Sequence, residues 1–163
     1  LFTARIYEAM TMAQQMSKRQ PFEHMRWQVE PVCLPPRADL DEEALLAEIR
    51  TAADSAKIHS KAALMLTYLR RRDRPIPFTC LHLNDRVAIA HLPGETFIEY
   101  QLHAQAARPD AFVAVAGYGD LGTGYITLAS SFAEGGYEPV DAFVAGESEV
   151  LMRAAIDKIL ART

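Results

Sequence analysis

Basic residues are in the minority, cysteine is nearly absent, and no apolar run is long enough to cross a bilayer. Lysine and arginine total 17 against 21 acidic residues, a formal net charge of -4. That balance offers no broad basic field and argues against nucleic acid as a partner. Cys33 and Cys80 are far apart and form no C-x-x-C pair. They support neither a disulfide framework nor a thiolate zinc site, and read as two small buried residues. No stretch approaches the roughly 20 apolar residues of a transmembrane helix. Repeats and low-complexity tracts are missing as well.

What is present is an ordinary globular composition, 50% hydrophobic over 163 residues, enough for one domain with a real core. The chain opens on Leu1, and residues 1–19 already read as the middle of an amphipathic helix, with Ile6, Met10 and Ala13 on one stripe. No capping residue precedes it. The expectation is therefore a C-terminal part of something longer, whose upstream segment would be a partner of this one.

Residues 1–74 read as mainly helical with one edge strand. Pro21 ends the first helix. Met25, Trp27 and Val29 then alternate with Arg26, Gln28 and Glu30, the pattern of a half-buried strand with its apolar side inward. Asp39 or Asp41 caps the next helix, whose first turn carries Glu42 and Glu43. A further helix spans about Lys57 to Arg72. The run Arg70-Arg71-Arg72, with Arg74, reads as a solvated helix end in preference to a phosphate or lipid-headgroup site.

Residues 75–163 read as strand, strand, helix, strand, strand, helix. A hairpin turns at Asn84-Asp85, a helix runs from about Glu95 to Ala107, and "AFVAVAG" is a strand buried on both faces. The last helix covers Gly146 to Ala161, with Val150, Leu151, Ala154, Ala155 and Ile159 spaced to pack one side. The fold class is α/β in the mixed α+β sense, with helices on a small mixed sheet.

Two corners invite chemistry. Pro93-Gly94 turns the chain into Glu95, placed in a helical first turn where the helix dipole favours an ionised carboxylate. Such a group is a metal ligand, a general base, or only a dipole partner. The second corner, Gly117-x-Gly119-x-x-Gly122, matches a dinucleotide fingerprint. No helix follows it, and Asp120 would put a negative charge in the phosphate cradle, so the match is set aside. Tyr125 follows that corner and is either core or site.

"LPGE", then thirty residues beyond Glu95 "GYIT", then "AEGGYEP", together resemble the neutral/alkaline non-lysosomal ceramidase family, in a divergent bacterial-type branch. The resemblance runs from about Ile76 to Leu160. It implies a zinc-dependent amidohydrolase that cleaves the N-acyl bond of a ceramide-like lipid. It also implies Glu95 and Tyr125 as zinc ligands, with Tyr137 beside the scissile amide to polarise its carbonyl. Gly124 stands where the family has histidine, and the family's arginine pair after "LPGE" is missing. None of His24, His59, His82, His91 and His103 sits in a family histidine motif, so the zinc site is incomplete in this chain alone. His91 and His103 read as satisfied core or surface residues. The other reading is a non-catalytic domain of the same fold that binds a partner or small molecule.

Overall fold

A computed structural model describes residues 2–19, 24–53, 60–119 and 123–162. The readings placed on Leu1, Pro21, Lys57, His59, Asp120 and Gly122 concern residues outside that set. Helix α1 is Phe2–Met16, strand β1 Arg26–Val32, and helices α2 and α3 are Glu42–Ala53 and Ser60–Arg70. Then come β2 (Ile76–Asn84), β3 (Val87–Pro93), β4 (Glu95–Thr96), α4 (Ile98–Ala107), β5 (Phe112–Gly119) and β6 (Tyr125–Ile126). The chain closes with α5 (Ser131–Glu134), α6 (Tyr137–Asp141) and α7 (Ser148–Leu160). This is the expected mixed α+β layering.

Four strands form one sheet in the order β1-β2-β3-β5. β1, β2 and β3 run antiparallel; the hairpin between β2 and β3 turns at Asp85-Arg86, one residue beyond the expected Asn84-Asp85, because Asn84 still pairs with Val87 and its Oδ1 accepts from the Arg86 N–H at 2.7 Å. β5 returns parallel to β3, because α4 carries the chain back across the sheet. β5 therefore lies at an edge and is only partly buried, not enclosed on both faces as its apolar run suggests.

Helices α4 and α7 cover one sheet face. Phe78, Cys80, Ala88, Ala90 and Leu92 pack there against Tyr100, Met152, Ile156 and Ile159. The helix α7 buries Met152, Ala155, Ile156, Ile159 and Leu160, whereas Val150, Leu151 and Ala154 are exposed. A second core joins α2 and α3 through Leu45, Met65, Leu66 and Leu69, with Phe143. Asp41 is the cap of α2, accepting from the Ala44 N–H at 2.7 Å. Asp39 instead accepts from Arg37 Nε at 2.8 Å.

Strand β1 alternates as expected, but with its sides reversed. Trp27 and Val29 are exposed, at 55% and 49%, while Arg26, Gln28 and Glu30 turn toward α7. The last carbonyls of a helix have no partner within it. Here the Gln28 amide donates to Lys158 O at 2.6 Å and Arg26 donates to Ala161 O at 3.1 Å. Lys158 pairs with Glu30 at 2.6 Å. The polar side of β1 faces the helix because it satisfies the C-terminus of α7. The two cysteines divide similarly: Cys80 is buried in the core and Cys33 is exposed.

Candidate functional site

β3 ends at Pro93, and Gly94 turns with φ +62°. Glu95 does not enter a helix. It belongs to β4, which pairs parallel with β6 so that Glu95 stands opposite Tyr125 and Thr96 opposite Ile126. The Glu95 N–H donates to Gly124 O at 2.9 Å, and the Phe97 N–H to Ile126 O at 3.2 Å. α4 begins only at Ile98, so the dipole argument for Glu95 falls away. The ladder uses the Glu95 backbone first, and the side chain is held by a strand rather than by a helical turn.

Both turning glycines are required by space. A Cβ on Gly94 would lie 2.3 Å from Thr123 Oγ1 and 2.7 Å from Gly124 O. Gly124, at φ +66°, would bring its Cβ to 3.0 Å from Asp141 O and 3.2 Å from the Phe143 ring. Only hydrogen at these Cα positions lets the β4 and β6 corners close on each other.

Tyr137 opens α6 after Gly135 and Gly136, which take φ values of +84° and +119°. Its ring meets Tyr125 edge-on, with centroids 5.5 Å apart and planes at 86°. Glu95, Tyr125 and Tyr137 thus converge. Hydrogen bonding with Tyr137, then desolvation and the Glu95 charge, push the Tyr125 phenol well above its ordinary value.

The sequence reading missed Tyr118. This residue is exposed and holds φ +58°, unusual for a side chain of this size. Its N–H donates to Gly94 O at 2.7 Å. Its phenol is raised first by hydrogen bonding to Glu95. The available signal was a tyrosine between Gly117 and Gly119, in the corner set aside as a chance fingerprint. Gly119 has its own steric reason, since a Cβ there would lie 2.6 Å from Leu92 O where β5 passes β3.

Among the described residues, His82 and His103 have partners outside this cluster. His103 Nε2 pairs with Asp157 at 2.8 Å, and buried His82 Nε2 bonds Ile159 O at 2.8 Å. His91 is not satisfied as expected: its ring meets Trp27 at a 43° tilt with centroids 5.6 Å apart, but Nδ1 is buried without a partner among the described residues. Zinc sites use about three protein ligands, mostly imidazole, thiolate or carboxylate. Among the described residues, no group of three or more His, Cys, Asp or Glu side chains could hold a metal ion. One carboxylate ringed by phenols does not by itself fit zinc, and hydrogen bonding raises the phenols of Tyr118 and Tyr125. The arrangement can accept and donate hydrogen bonds and offer oxygen donors to a cation completed from elsewhere.

No family model matches the chain, and no curated protein matches it. Among solved structures, the neutral ceramidase from Pseudomonas aeruginosa is similar over 53% of this chain, with 15% identity and a TM-score of 0.46. The matched region spans 15% of that protein's length. A likeness of that extent bears on neither the activity nor the site residues.

Proposed function

We propose that this chain contributes part of the active site of an amidohydrolase acting on an N-acyl, ceramide-like amide. Glu95 and Tyr125 would be two of the zinc ligands, and Tyr137 would donate to the amide carbonyl. The observation that carries this reading is the convergence of three motif residues from three separate segments, through the Glu95–Tyr125 pairing and the Tyr125–Tyr137 ring contact. Because the described residues do not complete a zinc site, the remaining ligands would come from an upstream segment of the same protein. The 163 residues alone would then bind zinc weakly and release no fatty acid.

The test is metal content and fatty-acid release from an N-acylsphingosine, measured on the full-length protein. Tyr137→Phe should lower kcat by about 10²-fold and leave zinc in place, as expected for loss of one oxyanion donor. Glu95→Gln should lower zinc content and activity together. Full activity in Tyr137→Phe, or unchanged zinc in Glu95→Gln, would remove the corresponding assignment. Zinc bound without any hydrolysis would favour the non-catalytic binding domain.

A further inference from the structure

The arginine run at the end of α3 is largely solvated, as expected, but its members face different surroundings. Arg70 turns back to pair with Glu42 at 2.7 Å. Arg71, Arg72 and Arg74 instead line a cavity of about 280 Å³ between α3 and the start of β2. Its apolar wall is Leu34 and Ile76, both buried, together with the Tyr68 ring. The Tyr68 hydroxyl donates to Leu34 O at 2.7 Å, so its one polar atom is already spent. Leu64 stands at the lip and is 55% exposed.

Charge is concentrated here against the trend of the chain, whose net charge is -4. Arg72 has Asp73 at 3.9 Å, a side chain 92% exposed. Arg71 and Arg74 make no ion pair with the described residues. Guanidinium groups suit carboxylate and phosphate oxygens, and an apolar wall beneath them suits an alkyl chain.

We propose that this cavity binds a single-chain amphiphilic anion, an alkyl chain seated against Leu34, Tyr68 and Ile76 with its carboxylate or phosphate head held by Arg71 and Arg74. The volume of about 280 Å³ falls just below the roughly 300–1,000 Å³ of ligand pockets, which suits one chain rather than a two-chain lipid. None of the lining residues belongs to the Glu95 cluster, so the site stands whether or not that cluster is catalytic.

The experiment is calorimetric titration of the 163-residue chain with dodecanoate, dodecyl phosphate, inorganic phosphate and dodecanol, all below micelle formation. Dodecanoate or dodecyl phosphate should saturate one site, and the tighter of the two identifies the preferred head group. Inorganic phosphate and dodecanol should each bind at least tenfold more weakly. The double variant Arg71→Ala/Arg74→Ala should weaken the anionic amphiphile at least tenfold with an unchanged melting temperature. Leu64→Trp, which fills the lip, should weaken both amphiphiles and leave the guanidinium groups in place. Equal binding of inorganic phosphate would reduce the site to a plain anion patch and overturn the proposal. So would equal binding of dodecanol, unchanged affinity in the double variant, or no saturable uptake of either anionic amphiphile.

Discussion

Glu95 and Tyr125 face each other as partners in a parallel ladder only two residues long. So short a ladder cannot hold itself together, since isolated two-stranded pairs are marginal even at greater length. It persists because its corners are locked from both sides. The Tyr118 N–H ties β5 to Gly94 O at 2.7 Å, and Gly124 packs close to Asp141 O and Phe143. The site's geometry is a consequence of glycines that permit contact, more than of interactions among the functional side chains.

Gly94→Ala tests that dependence. The new Cβ would meet Thr123 Oγ1 at 2.3 Å and the Gly124 carbonyl at 2.7 Å, in a backbone region unfavourable to alanine. The expected cost is on the order of 1–3 kcal/mol, read from urea unfolding. The β4–β6 pairing should also open, visible as faster hydrogen exchange at the Glu95 and Phe97 amides. Unchanged exchange at both amides would show that the corner adapts without the glycine.

Stability should fall on the alkaline side, beginning near pH 10. Burial raises the phenols of Tyr68 and Tyr100, and hydrogen bonding with Glu95 and Tyr137 raises those of Tyr118 and Tyr125. An unfolded tyrosine ionises near pH 10, so above that pH the unfolded chain sheds protons the folded one retains. The folded state then binds more protons, and rising pH favours unfolding. Glu95→Gln removes a negative charge beside Tyr118 and Tyr125 and should shift their ionisation to lower pH, followed by tyrosinate absorbance. No change in that absorbance curve would separate Glu95 from the two phenols.

Much of this was legible in the sequence, for reasons that also mark where legibility stops. The existence of the β2–β3 hairpin and of α7 follows from turn chemistry and helical spacing, which are local; the packed face of α7 does not, since Val150, Leu151 and Ala154 are expected on it and are exposed. The motif residues Glu95, Tyr125 and Tyr137 could be named, but the parallel pairing that brings the first two together depends on strand order. The same gap misplaced Glu95 in a helix: a carboxylate after Pro-Gly suits a first turn equally well, and only the distant β6 decides otherwise. β1 shows a different limit. Period-two alternation defines two faces and does not say which one a helix will cover. The open carbonyls of α7 selected the polar face, through Gln28 and Arg26.

His82 should make the protein less stable in mild acid. Burial lowers its pKa, with its ring bonded to Ile159 O at 2.8 Å. Below about pH 6.5 an unfolded histidine takes up a proton that the buried ring resists, so stability drops as pH falls from there through the lowered folded value. His82→Gln keeps a side-chain N–H for Ile159 and removes the titration. Melting temperatures at pH 7.5 and 5.5 should differ by more in the natural protein than in the variant. An equal difference would place the acid sensitivity elsewhere, with Asp39, Asp110 and Glu149 as the next groups, their carboxyls held low by arginine and backbone partners.

The reversed faces of β1 yield the sharpest comparison between neighbouring strands. Trp27 stands opposite Leu81 on the face that α4 and α7 leave open, while Phe78, opposite Glu30 on the adjoining strand, is fully buried beneath them. A sequence reading that sends the apolar side of β1 inward makes Trp27→Thr the costlier change. The observed burial makes it the cheaper one. Trp27 is 55% exposed and keeps its contact with the His91 ring, so its loss removes little buried area; the expected cost is below about 1.5 kcal/mol. Phe78→Ala leaves a cavity in the main core and should cost roughly 3–5 kcal/mol. Trp27 is the only tryptophan, so its emission in the natural protein should already resemble that of a water-exposed indole. Urea unfolding of the two variants, followed by circular dichroism, decides the matter. If Trp27→Thr proves as damaging as Phe78→Ala, the open face of the sheet is covered in solution and the exposed side of β1 is part of a core.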